Sequence, residues 1–188
     1  DNVTVNSVGI QAEPSEGAVR DNIGSDTVIS PPEETSSGQA SLIDYNNDGN
    51  TIGGGDAGVE FSVTNTGSST VSIESIKINE TSPSNAVELR ETNGGTGVGN
   101  RDIFVSGTND GYFDPGDGGN DRYSVGDTVT LVNGPVAVSP GSSADISLTR
   151  FYNGGSGGSG SYVNMSGESA TVSLIFSDGS VKTFTVNS

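Results

Sequence analysis

In the stretch Ala170-Thr-Val-Ser-Leu-Ile-Phe-Ser-Asp-Gly-Ser-Val-Lys-Thr-Phe-Thr-Val186, Val172, Leu174 and Phe176 alternate with other residues, as do Phe184 and Val186. A period of two marks a strand with one buried face. Ser177-Asp178-Gly179 lies between the two arms. Parity selects the turn. A two-residue Asp178-Gly179 loop would pair Phe176 with Val181 and set Phe184 opposite Ser173, on the wrong face. A three-residue loop with Gly179 in the left-handed conformation pairs Val172 with Phe184. The sequence therefore predicts a type I turn with a G1 bulge.

The same period recurs upstream. Val59, Phe61 and Val63 alternate and stop at Asn65-Thr66-Gly67. Val71, Ile73, Ile76 and Ile78 follow, with a change of phase at Glu74-Ser75. Ala144, Ile146 and Leu148 alternate cleanly. Ala40-Leu42-Tyr45, Val87-Leu89, Ile103-Val105 and Val129-Leu131 are shorter candidate strands. The 29 glycines cluster with Asn, Asp and Ser, which is turn chemistry. No segment shows a 3.6-residue amphipathic pattern. The expected fold is all-β: a single jelly-roll or Ig-like sandwich of roughly eight to eleven strands over residues 39–188. Only 30% of residues are apolar, so its core is thin and mostly Val, Ile and Leu.

Residues 1–38 read differently. Val3 and Val5 share one face of an extended segment; Val8, Ile10 and Ala12 follow after a phase shift at Ser7. Residues 13–38 are a polar run rich in Pro, Glu, Ser and Gly, as expected of a linker. A strand on so long a leash can reach somewhere other than its own sheet. The opening Asp-Asn-Val-Thr-Val without Met is the expectation for a processed mature form.

Charge sets the environment. Asp and Glu number 24 against 7 Lys and Arg, a net charge of −17 spread along the whole chain. Such a surface repels nucleic acid and anionic lipid. It stays hydrated in high salt, where screening relieves its self-repulsion. The expected setting is the exterior of a salt-loving archaeon. No apolar run is long enough for a membrane helix, so membrane insertion is not expected.

The absence of His and Cys removes most nucleophile–base catalysis, thiol chemistry and zinc sites. Without Trp and with few aromatics, a sugar cleft for paired carboxylates is poorly supplied. An enzyme is not expected. Two acidic loops are candidates for a structural Ca²⁺. Asp44, Asn46 and Asp48, followed by Gly49, match the first half of an EF-hand-type loop but lack the Glu at its twelfth position. Asp110, Asp114, Asp117 and Asp121 supply four carboxylates within twelve residues, ranking ahead of the first loop. The competing reading, which the acid-rich composition favours, is a pair of solvated turns. Asn2, Asn79 and Asn164 each head an N-glycosylation sequon.

The stretch Val59–Ile73 has the form apolar strand, Asn-x-Gly, apolar strand. It resembles secreted β-sandwich modules and is similar to the camelysin/TasA type of biofilm-fibre subunit. Ala170–Val186 resembles the closing hairpin of haloarchaeal surface proteins. Related archaeal threads and bundling pili insert an N-terminal strand of one subunit into the sheet of the next. That resemblance implies a homopolymeric extracellular filament here, with Val3, Val5, Val8 and Ile10 as the side chains a neighbouring identical subunit receives. The alternatives are a monomeric adhesion or ligand-binding domain on the cell surface, or the head of a truncated pilin or archaellin. The chain departs from pilins in having no long apolar N-terminal helix ahead of its globular part.

Overall fold

The computed structural model describes residues 37–52, 58–90, 102–114, 122–154 and 160–188. Val3, Val5, Val8, Ile10 and Asn2 lie outside them. The described chain is an all-β sandwich of fourteen strands, more and shorter than expected, in three antiparallel sheets. The first sheet runs β1 (Ile43–Tyr45), β3 (Gly58–Asn65), β11 (Ser143–Leu148), β6 (Ile103–Val105) and β7 (Gly111–Tyr112); β2 (Asn50–Ile52) lies beside β1 on the same edge of β3. The second runs β10 (Val136–Val138), β4 (Val71–Ser82), β13 (Ser169–Phe176) and β14 (Val181–Asn187), with β9 (Thr128–Thr130) on the β10 side of β4. A small third sheet joins β12 (Phe151–Tyr152), β5 (Glu88–Arg90) and β8 (Arg122–Ser124).

Alternation becomes packing. On β3, Val59, Phe61 and Val63 turn inward opposite Leu148, Ile146 and Ala144 of β11, and all six are buried. On β13, Val172 lies between Ile78 of β4 and Phe184 of β14. These side chains meet in one core, each large aliphatic contributing about 1.5–3 kcal/mol when fully buried. Tyr45, Phe61 and Phe184 close the β1–β14 side of that core, with ring centroids 5.6 to 6.4 Å apart.

The closing hairpin has the expected register, Val172 opposite Phe184. Gly179 has φ 80°, and its N–H donates to Phe176 O at 2.8 Å. The phase change in β4 is a bulge: Ser75 pairs with Ile175 and Ile73 with Phe176, so Glu74 is the extra residue. Without it, Ile73 and Ile76 would face opposite ways; with it, both are fully buried. A second register shift falls at Asn79.

Ala40 and Leu42 were expected in a strand. Instead Gly38–Leu42 forms a 3₁₀ turn, and the strand begins at Ile43. Distant partners decide this. Asp178 Oδ2 accepts the Gln39 N–H at 2.8 Å, Ser180 Oγ accepts the Ala40 N–H at 2.9 Å, and Gln39 Oε1 accepts the Ser72 N–H. The Ser180 hydroxyl, then the Gln39 and Ser180 N–H groups, hold the Asp178 carboxyl below its ordinary range.

One flank of the sandwich is closed across the sheets. Tyr112 of β7 exchanges backbone hydrogen bonds with Val132, at 2.9 and 3.3 Å. Next to it, Thr108 N–H donates to Ala137 O, and the Asn109 side-chain amide donates to Asn133 O and Pro135 O.

Candidate functional site

The opposite flank carries β14. In an antiparallel pair, alternate residues bond to the partner strand and the rest direct N–H and C=O outward. The β13–β14 ladder starts with Phe176 N–H donating to Ser180 O and ends with Ser188 N–H donating to Glu168 O, both at 2.9 Å. Even-numbered β14 residues therefore face β13. Val181, Thr183, Thr185 and Asn187 present their backbone groups away from it. Among the described residues no strand pairs with that edge. All four side chains are exposed, Val181 at 46%.

The edge is bounded at both ends. A Cβ on Gly49 would stand 2.2 Å from Asn187 O, so the β1–β2 loop lies directly against the last edge residue. The 3₁₀ turn covers the start, at Asp178 and Ser180. Val181, Thr183 and Thr185 remain between. Inward of them, Phe184 and Val186 are buried, and Tyr45 packs over Phe184. The edge thus offers hydrogen-bonding groups with a closed core behind it. Lys182, one of two lysines in the chain, sits on this strand.

In the first acidic loop the candidate oxygens have protein donors. Residues 46–49 bulge out between β1 and β2, with Asn47 left-handed at φ 54°. Asn46 Oδ1 accepts the Thr64 hydroxyl at 2.8 Å, and Asn46 Nδ2 donates to Ser62 Oγ. Asp48 Oδ1 accepts the Ser62 N–H and Oδ2 the Ser62 hydroxyl. Asp44 Oδ2 accepts the Thr66 hydroxyl at 3.2 Å. Protein donors therefore engage the oxygens expected to face a cation. In the second loop, Asp110 Oδ1 accepts the Gly107 N–H at 3.2 Å, and Asp114 is half-buried. Asp117 and Asp121 lie outside the described residues. Among the described residues, no three metal-ligating side chains come together.

The sequons separate as well. Asn79 sits at the second bulge of β4, its amide donating to Ser173 Oγ at 2.8 Å. Asn164 is exposed.

Sequence reading missed β14 as an edge. The Val181, Thr183, Thr185 alternation was visible, but position within a sheet depends on distant pairings such as Thr171 with Glu80 and Phe176 with Ile73. Among the described residues, no helix is long and apolar enough to cross a membrane. Comparison with protein-family models, curated proteins and solved structures finds no match.

Proposed function

We propose that the protein is a structural subunit of an extracellular filament, joined head to tail when the N-terminal strand of one copy adds to a sheet edge of the next. The β14 edge carries this reading: outward backbone groups at Val181, Thr183 and Thr185, with exposed side chains and no strand beside them among the described residues. An added strand gains a ladder of main-chain bonds, and repeating the same unlike contact builds an open polymer. Residues 1–12 supply the alternation, with Val3, Val5, Val8 and Ile10 as the side chains offered. The polar run after them spans up to about 85 Å if extended, enough to reach a neighbour. The net charge of −17 fits a secreted protein of a saline habitat.

A second reading has its own support. Tyr45 already covers Phe184 beside the edge, so the described core needs no donated side chain. That favours a self-contained domain on the cell surface. Electron microscopy and sizing of the native protein separate the two. Fibres that disappear in a Val5→Asp, Ile10→Asp double variant support the filament. A native protein that stays monomeric rejects it.

A further inference from the structure

Burial alternates along the segment Tyr162–Ser166, which enters a turn at Ser166. Val163 and Met165 point into the protein, at 8% and 0% exposure, while Tyr162, Asn164 and Ser166 point out. The segment is pinned on both sides. Val163 N–H donates to Phe151 O at 2.8 Å, and Met165 O accepts the Glu168 N–H at 3.0 Å across a turn containing Gly167, φ 76°. The alternation places the Tyr162 and Asn164 side chains on one outward face, and Ser166 follows, exposed, in the turn.

Asn164-Met165-Ser166 is a sequon. Asn164 Oδ1 accepts the Ser166 N–H at 2.9 Å, which folds the sequon into an Asx turn and leaves Nδ2 directed to solvent. Neither Asn164 Nδ2 nor Ser166 Oγ makes a hydrogen bond among the described residues. The Asn79 sequon is the opposite case. Its amide is bonded to Ser173, and its Thr81 hydroxyl donates to Pro83 O and Ala86 O within the fold.

We infer that Asn164 is an N-glycosylation site, that Asn79 is not, and that the first sugar of the glycan lies against Tyr162. Tyr162 is 45% exposed, and its ring packs against the buried Tyr152 with centroids 4.4 Å apart at a tilt of 35°, which holds the ring in place two residues from the acceptor. A rigid aromatic face receives the apolar C–H face of a pyranose with little loss of conformational freedom. In the transfer, Asn164 Nδ2 bonds to C1 of a sugar carried on a lipid phosphate. The C1–O bond to the phosphate breaks, the phosphate leaves with the electron pair, and an amide proton passes to a base of the membrane transferase. The inference rests on the extracellular reading above, since the transferase meets only exported chain.

The test uses protein from the cells that produce it, split into secreted and cell-internal fractions. Peptide mass spectrometry is expected to show a saccharide mass on the Asn164 peptide of the secreted protein and the bare mass on the Asn79 peptide. Asn164→Gln and Ser166→Ala should each abolish the addition, and Asn79→Gln should leave it. A secreted protein with a bare Asn164 peptide, or with sugar on Asn79, overturns the inference while sparing the extracellular reading. Protein found only inside cells overturns both. The contact with Tyr162 has its own readout. The rise in Tm that the glycan gives, measured against Asn164→Gln, should shrink in a Tyr162→Ala background. An unchanged rise removes Tyr162 from the site.

Discussion

Asp48 grips Ser62 with both carboxylate oxygens, Oδ1 accepting the backbone N–H at 2.8 Å and Oδ2 the hydroxyl at 2.5 Å. The clasp bridges the loop between β1 and β2, where the edge leaves β3 and returns to it. Asp48→Ala should lower stability by about 1–3 kcal/mol, since it strips the partner from the nearly buried Ser62 N–H. That loss should be the same in chelator and in millimolar calcium. A loss that appears only with calcium present would mean that Asp48 serves a cation instead.

Gly49 and Gly179 should respond differently to alanine. At Gly179 a Cβ meets nothing within 4 Å, and the cost is the left-handed backbone, about 1–2 kcal/mol. At Gly49 the Cβ would collide with Asn187 O and a methyl of Val186, so the loop must lift off β14. Denaturant midpoints should rank Gly49→Ala as the more damaging.

The Tyr123 oxygen accepts the Ile78 N–H at 2.6 Å, and its hydroxyl donates to Asp127 O at 2.7 Å, tying the third sheet to β4. Burial pushes this phenol up to about 12. The folded state therefore holds the proton more tightly than the unfolded chain, whose tyrosines titrate near 10. The resulting stability is complete below about pH 10 and is lost as pH rises toward 12. Melting temperatures of Tyr123→Phe should start lower at neutral pH and lack this alkaline decline.

Removing salt should destabilise the protein. With a net charge of −17, repulsion grows as the Debye length lengthens from about 3 Å at 1 M to about 10 Å at 0.1 M. The described ion pairs, Arg122–Glu88 at 3.4 Å and Arg150–Asp102 at 3.1 Å, are both at the third-sheet end and do little for the rest of the surface. Calorimetry in matched calcium should show Tm falling on dilution from molar salt. A flat or rising Tm would contradict adaptation to salt.

Proline scanning of β14 should separate folding from assembly. The Thr183 N–H points away from β13, so Thr183→Pro removes an outward donor and leaves the ladder in place. Phe184→Pro removes a donor that the ladder uses and should unfold the sheet. Fibre counts should collapse for Thr183→Pro while its circular dichroism stays native.

The hairpin turn and the Glu74 bulge were readable because each is a parity problem among near neighbours. Phe176 and Phe184 admit one loop length, and Ile73 and Ile76 admit one phase. The 3₁₀ turn was not readable. Ala40 and Leu42 have strand spacing, and their conformation depends on Asp178 and Ser180, about 140 residues away. Nor were the protein donors around the first acidic loop. Asp44, Asn46 and Asp48 have the spacing of a cation loop, but the same oxygens reach Ser62, Thr64 and Thr66 once β1 lies beside β3. Spacing along a chain does not reveal which donors a neighbouring strand will bring.

The bridge between Tyr112 and Val132 sets a valence. It occupies the flank of the sandwich where β7 and β10 end their sheets; the other flank carries the long β14 edge and, on the first sheet, the short strands β1 and β2. Among the described residues β14 is the longest strand that ends a sheet. On the proposed strand-addition reading, growth through that edge alone would give unbranched chains with a direction, whereas two subunits brought together at Tyr112 and Val132 would find those backbone groups already bonded.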